Sequence, residues 1–341
     1  MGKVTLKDLA RELGVSTTLV SRVLNAPRKA DGTPDCDIAP ETARKVLEAA
    51  KRLDYRPSRF AAGLRSGKRY LLGVITPDIS NYAFSEAGRV IEELAYHDGY
   101  SVMFGSSTES AERMNELLDI FVDHGVDGLI VTPCAGCRDS LQKAVSKGVP
   151  VVLINRDIPE LEGVGRVFQD NSLSMKMVVD HFVVNGYRKI EMISERMDVN
   201  TLRVREQSYT ETMLSYGLTP RILMVDSHKQ EQQIRQHVEE AVNRGCEALM
   251  APRIRLSLYA LQSIMELGLK IPDDMALFCH DESPAFTTHD PTISYVSHSS
   301  DKVGTQAYWM LQDMMRGQGG STVTVPPELH FGGSSAPRQL G

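Results

Sequence analysis

The segment VTLKDLARELGVSTTLVSRVLN near the amino terminus constrains the fold of this chain more than any other feature. Leucines recur at helical spacing within residues 6–13, and valines and leucines do so within residues 19–24, so each stretch predicts a helix with one apolar face. Gly14 lies between them and can adopt the positive φ angle that ends a helix. The hydroxyl groups of Thr5 and Ser16 suit the N-cap positions. The segment therefore predicts two short helices joined by a tight turn.

The second helix keeps polar side chains on its outward face. Thr17 and Thr18 occupy its first turn, and Arg22 follows one turn later. A short helix of this kind suits the DNA major groove, where arginine pairs with guanine. We expect Thr17, Thr18 and Arg22 to contact base edges. Phosphate contacts that position the helix are expected from Thr5, Ser16, Ser21 and Asn25.

Charge divides the chain into a basic head and an acidic body. Residues 1–69 hold 15 Lys and Arg against 8 Asp and Glu, a net charge of +7, whereas the remaining residues carry −13. This asymmetry is typical of a protein that binds nucleic acid through one part only. We expect the head to engage phosphates with salt-dependent affinity and the body to avoid non-specific DNA contact. A third helix from Pro40 to Leu53 is predicted to complete the head.

The connection of residues 26–37, APRKADGTPDCD, is predicted to be a loop because it is rich in Pro, Gly and Asp. Two interpretations of this loop stay open at this point. It is either a solvated surface excursion or an additional phosphate contact made by Arg28 and Lys29.

From Tyr70 onward, short apolar runs alternate with helical stretches. Continuous apolar strands separated by helices indicate parallel sheets that are covered on both faces. Eight such units favour two sheets over one. We therefore predict a small all-α helix-turn-helix headpiece and an α/β body of two doubly wound parallel-sheet lobes. The predicted strands are residues 71–75, 101–105, 129–132, 151–154, 189–193, 222–225, 247–251 and 275–279.

The ordered string of residues 4–25 closely resembles the DNA-binding headpiece of the lactose-repressor (LacI/GalR) family, and the body follows the same family pattern along nearly the whole chain. The resemblance implies a body built like a periplasmic sugar-binding protein, with a cleft that closes on a small molecule. It implies a helix-turn-helix domain over residues 1–57, a hinge over 58–69 and an effector-binding and dimerisation domain over 70–341. It implies no cofactor.

The resemblance also implies how the hinge and the dimer engage double-stranded DNA. A homodimer would place two heads on a palindromic operator. The hinge segment is short and contains Gly63, so we expect it to become helical only when it pairs with its dimer mate on DNA. There it would lie in the minor groove, and Leu64 would wedge into the central base step. The hinge residues expected to contact DNA are Arg59, Ala61 and Leu64.

Polar residues just past the predicted strand ends mark the expected ligand cleft, because doubly wound folds bind ligands beyond the carboxyl ends of their strands. Such residues occur in segments 76–81, 155–157 and 280–283, and the polar segment 169–171 opens a later helix. By resemblance to the family, Asp281 accepts hydrogen bonds from ligand hydroxyls, and Arg205, just before the helix that starts at Gln207, anchors the effector through its planar guanidinium. The other positions carried over are Phe84, Asn155 and Asp170.

The cleft departs from the family pattern at several positions. Pro252-Arg253-Ile254 replaces a polar pair, His280 stands where an aromatic residue is usual, and Arg156 replaces an aromatic found in some relatives. Arg253 and Arg156 together favour an anionic ligand such as a sugar phosphate or uronate. We expect a repressor controlled by a sugar or sugar derivative. The alternatives are a sugar-binding protein without regulation and a regulator that needs no effector.

Other signals do not indicate an enzyme or a metal site. Cys134 and Cys137 have the spacing of a metal knuckle or redox pair, but no second pair accompanies them. The His-Asp pairs at 280–281 and 289–290 define a rival interpretation, a metal-dependent hydrolase, yet they fall in a Pro-rich loop region. No apolar run reaches the ~20 residues of a membrane span, and no signal-peptide core is present. We therefore expect a cytoplasmic protein with reduced thiols and no membrane partner.

Overall fold

The computed structural model forms two compact units, Met1–Tyr70 and Leu71–Gly341. The structure describes residues 4–26, 29, 33–55, 68–197, 199–297 and 299–338.

The first unit contains the two short helices and the third helix that the sequence predicts. They are α1 (Leu6–Leu13), α2 (Thr17–Asn25) and α3 (Pro40–Arg52). Thr5 and Asp8 form a reciprocal capping box at the start of α1, and Gly14 ends that helix at φ 64°. The Ser16 hydroxyl accepts a hydrogen bond from the Leu19 amide and caps α2.

A small apolar core holds these three helices together. Leu24, which the sequence places inward, is only partly buried, and it packs on the core together with Leu6 and Leu13. A core of this size depends on well-formed helix ends for much of its stability. Its fully buried members are Leu9, Ala10, Val20, Val23, Ala43, Val46, Ala49 and Ala50.

The second unit contains two sheets, and the strands of each lobe are consecutive except near the carboxyl terminus. Lobe 1 is built on β1 (Leu71–Thr76), β2 (Ser101–Ser106), β3 (Gly128–Val131), β4 (Val151–Ile154), β5 (Gly165–Gln169) and β11 (Thr322–Val325). Lobe 2 is built on β6 (Ile190–Glu195), β7 (Ile222–Val225), β8 (Ala248–Met250), β9 (Ala276–His280), β10 (Ser294–Ser297) and β12 (Glu328–His330).

The two sheets share one strand order. Lobe 1 has the order β11-β5-β4-β3-β1-β2 and lobe 2 the order β12-β10-β9-β8-β6-β7. The paired strands are parallel except for β10 and β12, which are antiparallel. The order reverses at β1 in lobe 1 and at β6 in lobe 2. Ligands of doubly wound folds bind outside the carboxyl ends of the strands at such a switch point.

Helices separate the strands and cover the sheets. The final long helix packs its Val303, Ala307, Tyr308 and Leu311 side chains into lobe 1, although it follows the last parallel strand of lobe 2. The helices are α4 (Tyr82–His97), α5 (Ala111–Asp123), α6 (Arg138–Ser146), α7 (Asn171–Val184), α8 (Asn200–Ser215), α9 (Gln230–Asn243), α10 (Ile254–Glu266), α11 (Pro284–Thr288) and α12 (Ser300–Met315).

The structure confirms the predicted architecture and corrects several details. The eight predicted strands are present, two with the predicted bounds and six with ends shifted by one or two residues, whereas β5, β10, β11 and β12 were not predicted. Arg205 lies inside α8, which begins at Asn200, and not ahead of the helix as expected. The third helix ends at Arg52, one residue early. In the part of the chain that the structure describes, no helix has the length and apolar character needed to cross a membrane.

Candidate functional site

The predicted base readers of α2 differ from the predicted phosphate contacts in their hydrogen bonding. Thr17, Thr18 and Arg22 are exposed, and no described residue hydrogen-bonds to their side chains. The other polar side chains take part in local hydrogen bonds. Ser16 caps the helix, and the Asn25 amide donates to the Ser21 carbonyl at 2.9 Å and to its hydroxyl at 3.2 Å. The Thr5 hydroxyl is 2.6 Å from an Asp8 carboxylate oxygen.

Part of the predicted DNA-binding set falls where the structure makes no description. Arg59, Ala61 and Leu64 of the expected hinge lie outside the described residues, as does Arg28 of the loop. Lys29 of that loop lies 3.5 Å from a carboxylate oxygen of Asp35. A lysine paired within its own loop favours the interpretation of a surface excursion.

A cavity of about 70 Å³ lies beyond the carboxyl ends of the strands of both lobes. It brings together five of the six residues predicted for the effector site: Phe84, Asn155, Arg205, Arg253 and Asp281. The lining combines polar side chains with an aromatic ring on one side, a combination that suits a small hydroxylated ligand. The remaining lining residues are Asn81, Ala83, Arg156, Gln169, Val199, Thr201 and Leu202.

Arg205 is the most deeply buried charged group of this cavity, with 6 % of its surface exposed. Its Nε donates to Asn171 Oδ1 at 2.8 Å, and its Nη1 donates to the Pro252 carbonyl. Burial lowers the pKa of Arg205 to about 10, the charge of Asp281 opposes this shift, and the nearby charges of Arg253 and Arg156 add to it. The guanidinium is therefore held in one orientation by acceptors from α7 and from the end of β8.

The two arginines that depart from the family pattern are each bound to a glutamate. Arg156 makes a two-pronged ion pair with Glu109, both N–O distances being 2.7 Å, and also donates to the Pro133 carbonyl at 3.3 Å. Arg253 is paired with Glu195, which is 3 % exposed. Because two carboxylates offset these two positive charges, the arginines alone do not select an anionic ligand.

The surroundings of Glu109 stabilise the charged form of its carboxyl group. Burial acts to raise the pKa of this carboxyl, but the hydrogen bonds and charge of Arg156 outweigh burial and lower it. The charge of Arg253, from lobe 2, acts in the same direction across the cavity. Glu109 thus faces cations from both lobes.

Asn155 and Asp281 occupy equivalent positions in the two lobes. Each is the first residue after a strand, β4 or β9, and each has a left-handed backbone, with φ of 63° and 67°. Asn and Asp tolerate this conformation better than other non-glycine residues, and such backbones cluster at binding sites. The Asp281 carboxylate accepts from the Ile254 amide at 3.2 Å, and Asn155 Oδ1 is buried with no hydrogen-bond partner among the described residues.

Asp170 is the one predicted effector residue that the cavity does not include. Its carboxylate accepts from the Leu173 amide at 2.8 Å and caps α7. Its other surface faces an adjoining recess that it shares with Asn155 and Thr201. Asp170 therefore stabilises the start of α7, whose first residue, Asn171, accepts a hydrogen bond from Arg205.

Sequence reasoning missed Glu109, Glu195 and Asn171. Glu195 is the last residue of β6, and Asn171 belongs to the polar segment 169–171 that the pattern did single out. Glu109 follows β2 in a turn that carries no family signal. Position at or just past a strand end was the available signal for Glu195 and Glu109, but it does not say which arginine each glutamate pairs with.

The cysteine spacing and the His-Asp pairs that raised a metal interpretation do not form a metal-binding cluster among the described residues. Among the described residues no three His, Cys, Asp or Glu side chains converge on a point that could hold a metal ion. His280 is buried at the end of β9, and its amide donates to the Ser257 hydroxyl at 3.1 Å. Cys134 and Cys137 are buried, free thiols.

Two family models match the chain. Residues 5–58 match the model of bacterial regulatory proteins of the lacI family, and residues 179–335 match the periplasmic binding protein-like domain. The first match covers the helix-turn-helix head, and the second covers most of lobe 2. Together they fall on the two parts of the molecule that carry the candidate sites.

Curated relatives match over nearly their full lengths. The HTH-type transcriptional regulator KdgR of Bacillus subtilis is 28 % identical, covering 96 % of this chain and 96 % of its own. The HTH-type transcriptional repressor PurR of Histophilus somni is 28 % identical, covering 95 % and 97 %. The crystal structure of the Lac repressor dimer bound to operator and the anti-inducer ONPF has a TM-score of 0.82 at 21 % identity, covering 98 % of this chain and all of that one. This last likeness establishes the fold.

Proposed function

Because the chain belongs to the LacI family of DNA-binding transcriptional regulators, we propose that it is a repressor and that a small effector controls its affinity for the operator. The effector site is the cavity at the carboxyl ends of the strands of both lobes. The observation that carries the proposal is the convergence there of Arg205, Asp281 and Asn155 with the Phe84 ring.

The DNA side of the proposal rests on the exposed face of α2. No described residue hydrogen-bonds to the side chains of Arg22, Thr17 or Thr18, so their polar groups are available for base edges. Ser16, Ser21 and Asn25 hold the ends of the helix and are proposed to face phosphates. Arg59, Ala61 and Leu64 stay predicted minor-groove contacts of the hinge.

The effector side of the proposal favours a carbohydrate or carbohydrate derivative. Carboxylate, amide and guanidinium groups supply both acceptors and donors for hydroxyl groups, and an aromatic ring can stack on a sugar face. The three arginines are balanced by Glu109, Glu195 and Asp281, so neutral sugars fit the site as well as acidic ones.

Control of DNA binding would follow from two lobes that share one ligand. A ligand that contacts both lobes binds the closed arrangement best and shifts the molecule towards it. In a homodimer this shift would change the spacing of the two heads on a palindromic operator and hence the affinity for DNA. The chain contributes residues to the cavity from both lobes, which is the condition for this coupling.

Thermal unfolding against a panel of neutral sugars, acidic sugars, sugar phosphates and nucleobases tests the effector site. A ligand at 100 times its dissociation constant adds about 2.7 kcal/mol, which raises the melting temperature by several degrees. The shift should disappear in Asp281→Asn and Arg205→Lys and persist in Glu282→Gln, a neighbouring exposed carboxylate. Stabilisation that survives the first two variants, or no hit in the panel, counts against the proposed site.

The DNA side is tested with duplexes selected from a random library by the full-length protein. Arg22→Ala should lower the affinity by about 1–3 kcal/mol and relax specificity at one base pair per half-site. Arg11→Ala, on the exposed surface of α1, serves as the arginine control. Unchanged affinity and specificity in Arg22→Ala would remove α2 as the reading helix.

A further inference from the structure

Cys134 and Cys137 are the ends of a four-residue turn, Cys134-Ala135-Gly136-Cys137, that joins β3 to α6. Gly136 has a φ of 83°, the value that the third position of a type II turn requires. The first and fourth Cα atoms of a β-turn lie within about 7 Å, which overlaps the Cα separations that disulfides span. The two side chains lie close enough to influence each other's pKa. The backbone therefore already holds the two sulfurs at bridging range.

The two thiols differ in their access to solvent. Cys134 is 8 % exposed and borders a solvent-open cavity of about 240 Å³ that Arg156 also lines. Cys137 is fully buried at the N-cap of α6. A small oxidant can thus reach the Cys134 sulfur, whereas the Cys137 sulfur is shielded from solvent.

The pKa values of the two thiols shift in opposite directions. Their interaction with each other lowers the pKa of Cys134 and raises the pKa of Cys137, and burial raises the latter further. A reactive C-x-x-C pair has this division, with the accessible thiolate as nucleophile. Burial raises the pKa of Cys246 and of Cys279 to about 12, which leaves both thiols protonated and inert.

We propose that Cys134 and Cys137 are a thiol–disulfide modification site whose oxidation state acts on the candidate effector cavity through Arg156. With a peroxide as oxidant, the Cys134 thiolate attacks one peroxide oxygen, the O–O bond breaks, and water leaves after protonation. The Cys137 sulfur then attacks the resulting sulfenic sulfur, the S–O bond breaks, and a second water leaves. Two thiols lose two electrons and two protons, and the peroxide is reduced to two water molecules.

The path from the turn to the cavity is short. Pro133 precedes Cys134, and its carbonyl accepts a hydrogen bond from Arg156 Nη1 at 3.3 Å. Arg156 in turn holds Glu109 and lines the cavity. Closing the disulfide tightens the turn and shifts the Pro133 carbonyl beside it, so the guanidinium of Arg156 adjusts to keep this hydrogen bond. The coupling runs through the turn and Arg156, so it does not depend on which ligand fills the cavity.

Oxidation of the full-length protein with hydrogen peroxide tests the site. Intact mass should fall by about 2 Da for the two hydrogens lost, peptide mapping should link Cys134 to Cys137, and dithiothreitol should reverse both changes. Cys246→Ser should keep the linkage, and Cys134→Ser should lose it. Cys36, which is partly exposed, reports whether the oxidant reached the protein. Oxidation of Cys36 without a 134–137 linkage overturns the proposal.

Amide hydrogen exchange tests the coupling to the cavity. Comparison of the reduced and oxidised protein should show altered exchange both in residues 133–138 and in residues 153–158, which contain Arg156. Cys134→Ser treated with the same oxidant should show neither change. A disulfide that forms without any change at 153–158 would overturn the coupling to Arg156.

Discussion

At the scale of single residues, the candidate cavity is organised by arginines that carboxylates hold in place. The Glu109–Arg156 pair has two short bonds, and its side chains are 29 % and 11 % exposed. Two-pronged arginine–carboxylate pairs away from solvent are stronger than surface ion pairs, because water screens them less. Lys143 and Asp119 form a contrasting pair in the same lobe, at 2.7 Å but more than half exposed.

A double-mutant cycle should separate these two pairs. For Glu109→Gln and Arg156→Gln we expect a coupling of about 1.5–3 kcal/mol in the free energy of unfolding, the range for hydrogen bonds to charged groups. The Lys143→Gln and Asp119→Asn cycle should give no measurable coupling. Urea unfolding of the single and double variants measures both values. Equal couplings would mean that the cavity pair contributes no more than a surface contact.

The same carboxylate predicts a pH dependence. The folded pKa of Glu109 is below its ordinary value of 4.5, so the folded state binds this proton less tightly than the unfolded state does. Its stabilising contribution is fully present above pH 4.5 and is lost as the pH falls through the folded pKa. The stability difference between wild type and Glu109→Gln should therefore be constant at neutral pH and shrink below pH 4.5. Parallel stability curves down to the folded pKa would contradict this prediction.

At the scale of elements, the corner between α1 and α2 depends on one backbone conformation. Gly14 ends α1 at φ 64°, and a Cβ atom placed there would meet no atom within 4 Å. The cost of a side chain at this position is therefore the left-handed backbone alone, about 1–2 kcal/mol.

Gly14→Ala should accordingly loosen the head without crowding it. Amide exchange of residues 6–25 should accelerate by a factor of about 5–30, while exchange in the lobes stays unchanged. Gly319→Ala is the matched control, because that glycine also has open space around it and no positive φ. An unchanged exchange rate in Gly14→Ala would mean that the corner does not limit the stability of the head.

The strands show which elements can be predicted from local sequence patterns and which cannot. Six of the eight predicted strands lie inside their sheets, and the other two, β2 and β7, form sheet edges but pair with the strand that precedes them in the chain. By contrast, β11 (TVTV) is half-exposed at a sheet edge and pairs with β5 from far along the chain. The fully buried β10 begins and ends with serines, and Ser294 is bonded to the carboxyl-terminal turn through Ser334 and Ser335. Local hydrophobicity cannot signal strands whose partners are distant.

The candidate site shows the same limit. Phe84, Asn155, Arg205, Arg253 and Asp281 were predicted because each follows a strand or matches a family position, and the structure brings them together. The glutamates that hold two of the cavity arginines stand 47 and 58 residues away from them in the chain. Each pair joins two strand ends of one sheet, β2 with β4 in lobe 1 and β6 with β8 in lobe 2, and no local sequence pattern contains this arrangement.

At the scale of the whole molecule, charge is distributed by unit. The net charge of +7 within residues 1–69 stands against −13 in the rest of the chain. Phosphate binding by cations releases counterions, so affinity for DNA should depend steeply on salt and the dependence should arise in the head. The acidic charge of the lobes disfavours contact with DNA phosphates, so we expect the head to be the contact surface.

Measured on a selected operator duplex, the affinity of the full-length protein should fall by about 10³ or more between 50 and 200 mM salt. Neutralising Lys7, which is exposed on α1, should reduce the slope of log affinity against log salt by about one per protomer if it meets a phosphate. Lys143→Gln, in lobe 1, should leave the slope unchanged, because that lysine lies in the acidic unit and pairs with Asp119. A slope that responds equally to both substitutions would place DNA contact in the body, and a flat salt dependence would contradict phosphate binding by the head.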